Sequence, residues 1–117
     1  MKVSIIIPAY NEKKNVISLA RDVINKIENV EVIIVDDSNN NDIKNILAKS
    51  KIKNIKYFNR GKKSGRGSAV LFGFKKLIKI KKKISCLIEM DADLSHSPTE
   101  LRRNIAFFYR NSLDLLI

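Results

Sequence analysis

Two carboxylates, Asp91 and Asp93, stand two residues apart directly after the apolar run Cys86-Leu87-Ile88. At i and i+2 of an extended segment they point the same way, and two hard carboxylate oxygens suit Mg²⁺ or Mn²⁺ of the kind a diphosphate carries. An isolated Asp-x-Asp is equally a solvated turn with an Asx cap, but the apolar run before this one argues for a sheet edge. A second pair, Asp36-Asp37, ends another apolar run. There a carboxylate can accept hydrogen bonds from a ribose hydroxyl or a base N–H, or merely close a strand with turn chemistry. Tyr10 offers a ring face for stacking on a base, or for packing. Gly65-Arg66-Gly67 permits a tight turn before a helix whose first amides attract anions, and also suits an ordinary loop. His96, the single histidine, has no partners in sequence and reads as structural rather than as a ligand or acid–base group.

These side chains converge only if the intervening elements bring them to one edge. Residues 2–7 form a β-branched run stopped by Pro8, which predicts a strand buried on both faces. From Asn11 the apolar period becomes helical, through Val16, Leu19, Ala20, Val23, Ile24 and Ile27. Residues 30–35 predict a second strand, closed by Ser38-Asn39-Asn40-Asn41, and a short helix carries Ile43, Ile46 and Leu47 on one face. Residues 52–58 predict a third strand. The glycine-rich stretch 61–67 opens a helix reaching about Ile80, and residues 84–90 predict a fourth strand. Ser97 as N-cap, Pro98 at the first helical position and Glu100 three after the cap predict a last helix that buries Leu101, Ile105 and Phe108. Residues 113–117 begin another strand. This alternation predicts an α/β fold, a mostly parallel sheet in a Rossmann-like layer with helices on both faces. Ligands of such sheets sit beyond the carboxyl ends of the strands. Pro8-Ala9-Tyr10-Asn11-Glu12, Asp36-Asp37-Ser38, Arg60 with residues 65–67, and Asp91-Ala92-Asp93-Leu94-Ser95-His96 are therefore expected on one edge.

Length and charge set the outer bounds. A chain of 117 residues accommodates one domain. One cysteine, Cys86, excludes an internal disulfide and a cysteine-rich zinc site, and its strand position reads as core. That favours a reducing compartment. The first residues are too briefly apolar for a signal peptide, and no run approaches the ~18 apolar residues of a membrane span. The net charge of +11 is uneven: residues 43–88 hold fifteen Lys and Arg and no Asp or Glu. Such a block is a solvated face, a nucleic-acid patch or a surface for anionic lipid. It lacks the interleaved aromatic platform of single-strand binders, so nucleic acid is not the expected partner.

In order, residues 4–12 (Ser-Ile-Ile-Ile-Pro-Ala-Tyr-Asn-Glu), Val35-Asp36-Asp37, Arg60 with Gly65-x-Gly67-x-Ala69, and residues 91–96 followed by Pro98 resemble a family 2 glycosyltransferase of the GT-A fold, and within it the dolichol-phosphate (polyprenol-phosphate) mannosyltransferases. The resemblance implies that Pro8, Tyr10, Glu12, Val35, Asp37, Asp91 and Ala92 hold the nucleotide. It implies that Asp91, Asp93 and Ser95 face a Mg²⁺ or Mn²⁺ ion and the diphosphate, with Asp91 and Asp93 as the catalytic pair. Arg60, Lys63 and Arg66 become candidates for a donor or lipid phosphate. The implied reaction is inverting transfer of mannose from GDP-mannose to a polyprenyl phosphate, at the cytosolic face of a membrane to which a cytoplasmic protein is peripherally bound. UDP-glucose or another nucleotide sugar is the alternative donor, and a non-catalytic basic membrane- or partner-binding module the alternative class. Ser38-Asn39-Asn40-Asn41-Asp42 departs from the family's usual Ser-Pro-Asp-Gly-Thr turn. Since residues 113–117 start a strand without completing it, residues 1–117 are expected to be the donor-binding half of a truncated GT-A domain.

Overall fold

The computed structural model describes residues 3–11, 13–80, 86–90 and 98–110, less the side chains of Lys13, Ile80, Pro98 and Phe108. The order is β1 (Val3–Ala9), α1 (Lys13–Lys26), β2 (Val30–Asp36), α2 (Asp42–Ser50), β3 (Ile55–Asn59), α3 (Arg66–Ile80), β4 (Cys86–Glu89) and α4 (Pro98–Arg110). The four strands form one sheet in the order β3-β2-β1-β4, and every pairing is parallel. The expected α/β layer with a parallel sheet is therefore present. Expectations on Glu12, on Lys81 to Lys83, on Asp91 through His96, on the Ser97 cap and on residues 113–117 lie outside the described residues.

The side-chain period of two divides β1 and β2 between two cores. Val3, Ile5, Ile7 and Ala9 join Val30, Val32 and Ile34 under α1, with Ile43 of α2 and Leu101 and Ile105 of α4. On the other face Ile6, Ile33, Val35 and Phe58 meet Ala69, Phe72 and Leu77 of α3. Central strands buried on both sides explain why β1 and β2 read as nearly unbroken apolar runs. The helix positions follow from handedness. Crossovers from β1 to β2 to β3 run one way along the sheet, and the return from β3 to β4 runs the other. Right-handed connections then put α1 and α2 on one face and α3 on the opposite face. The reversal sets a topological switch point between β1 and β4, with the carboxyl ends of β1 and β2 beside it.

Two strand boundaries differ from the sequence reading. β1 continues through Pro8 to Ala9. The Ile6 carbonyl accepts the Met90 amide on the β4 side, so the missing N–H of Pro8, two residues on, falls on that same side. It lies beyond the last β1–β4 pair, Ile6 with Glu89, and Pro8 removes no bond of the ladder. β3 begins at Ile55 rather than Ile52, because Lys51 and Asn54 adopt positive φ and turn the chain before it pairs. The helix after the glycine-rich stretch starts one residue early, at Arg66. Gly65 takes φ +94, and its carbonyl accepts the Ala69 amide.

Candidate functional site

Asp37 is the first residue past β2, and its amide donates to the Ala9 carbonyl at 2.9 Å, tying the ends of β1 and β2 together. Arg60 is the first residue past β3, and its amide donates to the Asp36 carbonyl. Because Asp36 pairs with Asn59 in register, Asp37 and Arg60 come next as neighbours on the α3 face. Arg60 grips the carboxylate with two parallel bonds, Nε to Oδ1 at 2.6 Å and Nη2 to Oδ2 at 2.8 Å. The Ser64 amide adds a third at 3.2 Å. Arg60 is itself held by Ser68 Oγ at 2.7 Å, by the Gly65 carbonyl, and by the edge of α3 where its guanidinium lies 5.6 Å from the Phe72 ring centre. Burial pushes the Asp37 carboxyl up, but the Arg60 bonds, the Ser64 amide and the Arg60 charge outweigh it, so the group stays below the usual carboxylate range. The hydrogen bond to Asp37 raises Arg60 in turn. The result is a fixed, ionised carboxylate at the sheet edge. A carboxylate oxygen has two lone pairs, and Oδ1 takes one hydrogen bond among the described residues, so it retains capacity for a ligand N–H.

The neighbouring Asp36 points to the opposite face and is fully buried. Its Oδ1 accepts the Ser38 amide at 2.9 Å, and its Oδ2 accepts the Tyr57 hydroxyl at 2.5 Å and Asn59 Nδ2 at 3.4 Å. Asn59 also donates to the Ser38 carbonyl. Ser38 then accepts the Asn11 amide on Oγ at 2.7 Å, and Asn40 reaches the Asn11 side chain. Asp36 thus positions the β2 turn, and that turn positions the loop after β1. Burial first, and then the bond to Asp36, push the Tyr57 hydroxyl up to about 12. A proton held longer in the folded state than in the unfolded one adds stability that is complete below the unfolded pKa and is lost as pH rises. Unfolding free energy should therefore fall between about pH 10 and about pH 12. In Tyr57→Phe that alkaline fall should flatten, with a loss of about 2 kcal/mol at neutral pH, because Asp36 Oδ2 loses a buried hydrogen bond. Chemical denaturation across the pH series checks both, and an unchanged alkaline limb in the variant refutes the assignment.

Tyr10 is 42% exposed at the end of β1, with Lys63 Nζ 5.1 Å from its ring centre. Its ring is therefore presented to solvent beside the Asp37 cluster. Pro8 and Val35 are buried, and Val35 belongs to the α3-side core, so its side chain packs against α3 rather than facing the site. Arg60 is committed to Asp37, whereas Lys63 is exposed and Arg66 pairs with Glu89 at the end of β4. Asp91, Ala92, Asp93, Ser95 and Glu12 are outside the described residues; Asp91 follows Met90, which is buried and bonded to Ile6. Among the described residues no three His, Cys, Asp or Glu cluster as a metal site. The sequence reading missed Tyr57, Asn59, Ser64 and Ser68. Tyr57 and Asn59 were detectable in principle, since alternation along β3 puts both on the Asp36 face once the parallel register is known.

Residues 4–117 match the glycosyl transferase family 2 domain across nearly the whole chain. The chain belongs to glycosyl transferase family 2. It is 34% identical over 120 residues to a dolichol-phosphate mannosyltransferase of Pyrococcus furiosus, covering 100% of this chain and 32% of that protein. It is also 34% identical over 102 residues to a polyprenol monophosphomannose synthase of Mycolicibacterium smegmatis, covering 85% of this chain and 38% of that one. In structure it resembles the mannosyltransferase PcManGT of Pyrobaculum calidifontis, solved with GDP-Man and Mn²⁺, with a TM-score of 0.66, 18% identity, and coverage of 92% and 32%. At that identity the likeness is one of fold. The chain spans about a third of the length of these relatives.

Proposed function

We propose that this family 2 glycosyltransferase chain is the donor-binding part of an enzyme that moves mannose from GDP-mannose to a polyprenyl phosphate, acting peripherally at the cytosolic face of a membrane. The observation that carries this reading is the 34% identity to two proteins named for that chemistry. The site supports it. Asp37 is held ionised next to the exposed Tyr10 ring, which suits a base that needs an N–H acceptor and a stacking face. The proposed reaction is one displacement. An oxygen of the acceptor phosphate forms a bond to the anomeric carbon as the bond from that carbon to the nucleoside diphosphate breaks, inverting the centre. A phosphate acceptor is already anionic, so the chain need not supply a strong general base.

Asp91, Asp93 and Ser95 provide only oxygen donors, a set that fits Mg²⁺ or Mn²⁺. These three residues would hold the ion, which when bound offsets charge on the departing diphosphate. Calorimetric titration with GDP-mannose and with UDP-glucose, each with Mn²⁺ and with EDTA, tests the reading. Binding of GDP-mannose that needs Mn²⁺, reduced at least about a hundredfold in the Asp91→Ala/Asp93→Ala variant, is the expected result. Preference for UDP-glucose would replace the donor, and full affinity in the double variant would remove the carboxylates from the site.

A further inference from the structure

α3 is apolar on two sides, although only one of them faces the sheet. Ala69, Gly73 and Leu77 are buried against it. On the far side Leu71, Phe74 and Ile78 follow one another at i, i+3 and i+7, and they are 53%, 38% and 52% exposed. Single exposed apolar residues need no explanation, but three in a row along one helix face form a stripe. Lys75 and Lys79 line one side of the stripe and are exposed, and Lys81, Lys82 and Lys83 follow in sequence. α3 contains no acidic residue, nor does any position from 43 to 88. An apolar stripe with a purely cationic border is the pattern of a helix that lies in a bilayer interface, its apolar side among the acyl chains and its lysines at anionic headgroups. The described helices include none long and apolar enough to cross a membrane.

We infer that the outer face of α3 is the surface by which this protein docks on an anionic lipid bilayer. The position suits the proposed acceptor. α3 starts at Arg66, at the same sheet edge as Asp37, and its 15 residues extend about 22 Å back across the sheet. A bilayer lying along this face therefore runs up to the sheet edge that carries the candidate site. The link to a lipid-phosphate acceptor rests on the reading above; the docking surface does not.

The test is co-sedimentation of the whole chain with vesicles of phosphatidylcholine alone and of phosphatidylcholine mixed with phosphatidylglycerol, with neither donor nor polyprenyl phosphate present. Failure here and failure of the donor titration are then separate results. Binding is expected to the anionic vesicles only, and to weaken steeply with salt. Leu71→Ser/Phe74→Ser/Ile78→Ser should reduce it about a hundredfold, and Lys75→Gln/Lys79→Gln about thirtyfold. All five side chains are exposed, so thermal melts and GDP-mannose titration should match the unmodified chain. Absence of vesicle binding overturns the inference, as does undiminished binding by the triple serine variant. A dimer in light scattering that the serine variant abolishes would make the face a self-interface instead. A gel shift on duplex DNA without vesicle binding would assign the lysines to nucleic acid.

Discussion

Asp37→Ala is expected to lower the unfolding free energy by about 3 kcal/mol and to abolish detectable donor binding. The stability loss follows from what the substitution leaves behind. Asp37 is 4% exposed, and the Arg60 side chain beside it only 13%. With the carboxylate gone, a guanidinium fixed by Ser68, Gly65 and Phe72 keeps its charge without a counterion, the situation in which breaking a buried pair costs about 3–5 kcal/mol. The Ser64 amide loses its acceptor too. Arg60→Ala alone should cost less than Asp37→Ala, since the orphaned carboxylate can protonate, and the double variant should be better than the sum of the two. The acid limb gives an independent reading. A carboxyl whose folded pKa lies below its ordinary 3.8 contributes stability that is complete above that value and disappears as pH falls through the folded pKa. Asp37→Asn should lack that part of the acid-side loss. Denaturant titrations at neutral and acid pH measure both, and a variant within about 0.5 kcal/mol of the parent at neutral pH would show that the pair is solvated and not a buried anchor.

Why this anchor was only half legible in the sequence is a matter of register. The apolar runs, their interruption by polar residues and the helical period of Val16 through Ile27 are local signals, and they predicted the α/β layer and its parallel sheet. The edge residues Asp37, Arg60 and Tyr10 could be named because the carboxyl ends of strands in such a sheet are where ligands go. Pairing partners are not local. That Arg60 grips Asp37 depends on Asn59 standing opposite Asp36, and nothing in either segment alone specifies that alignment. The same holds for Tyr57, which as a lone aromatic in a short strand reads as core until the register puts its hydroxyl on Asp36. Pro8 misled for a related reason: it breaks a strand only where its missing N–H is needed, and here the neighbour on that side has already ended. The exposed stripe on α3 was hidden because its basic border dominates the composition, and helical spacing alone does not say which of two apolar faces meets the sheet.

Gly73 should not accept a large side chain. A Cβ there would lie 3.0 Å from Cγ2 of Ile6, 3.2 Å from its Cδ1 and 3.3 Å from its Cγ1. Ile6 is fully buried in β1, and as a β-branched side chain it has little rotamer freedom with which to retreat. For Gly73→Ala the helix-propensity gain of about 1 kcal/mol opposes a shift of a few tenths of an ångström, and the net change should be small. Gly73→Leu has no such balance. The added atoms enter a closed interface and force α3 off the sheet, at an expected cost of about 3 kcal/mol. The effect reaches the site because the first turn of α3 carries Ser68, and Gly65 just before it, both of which hold Arg60 on Asp37. Donor affinity should accordingly fall by about tenfold in the folded fraction, an effect that stability alone does not produce. Ile6→Ala in the Gly73→Leu background makes room for the new side chain, and should restore part of both losses although Ile6→Ala by itself destabilises. Urea midpoints with GDP-mannose titrations on the four proteins separate the cases. Strict additivity of the two substitutions would mean that α3 and β1 do not approach closely at this point, and that Arg60 is held by its own loop alone.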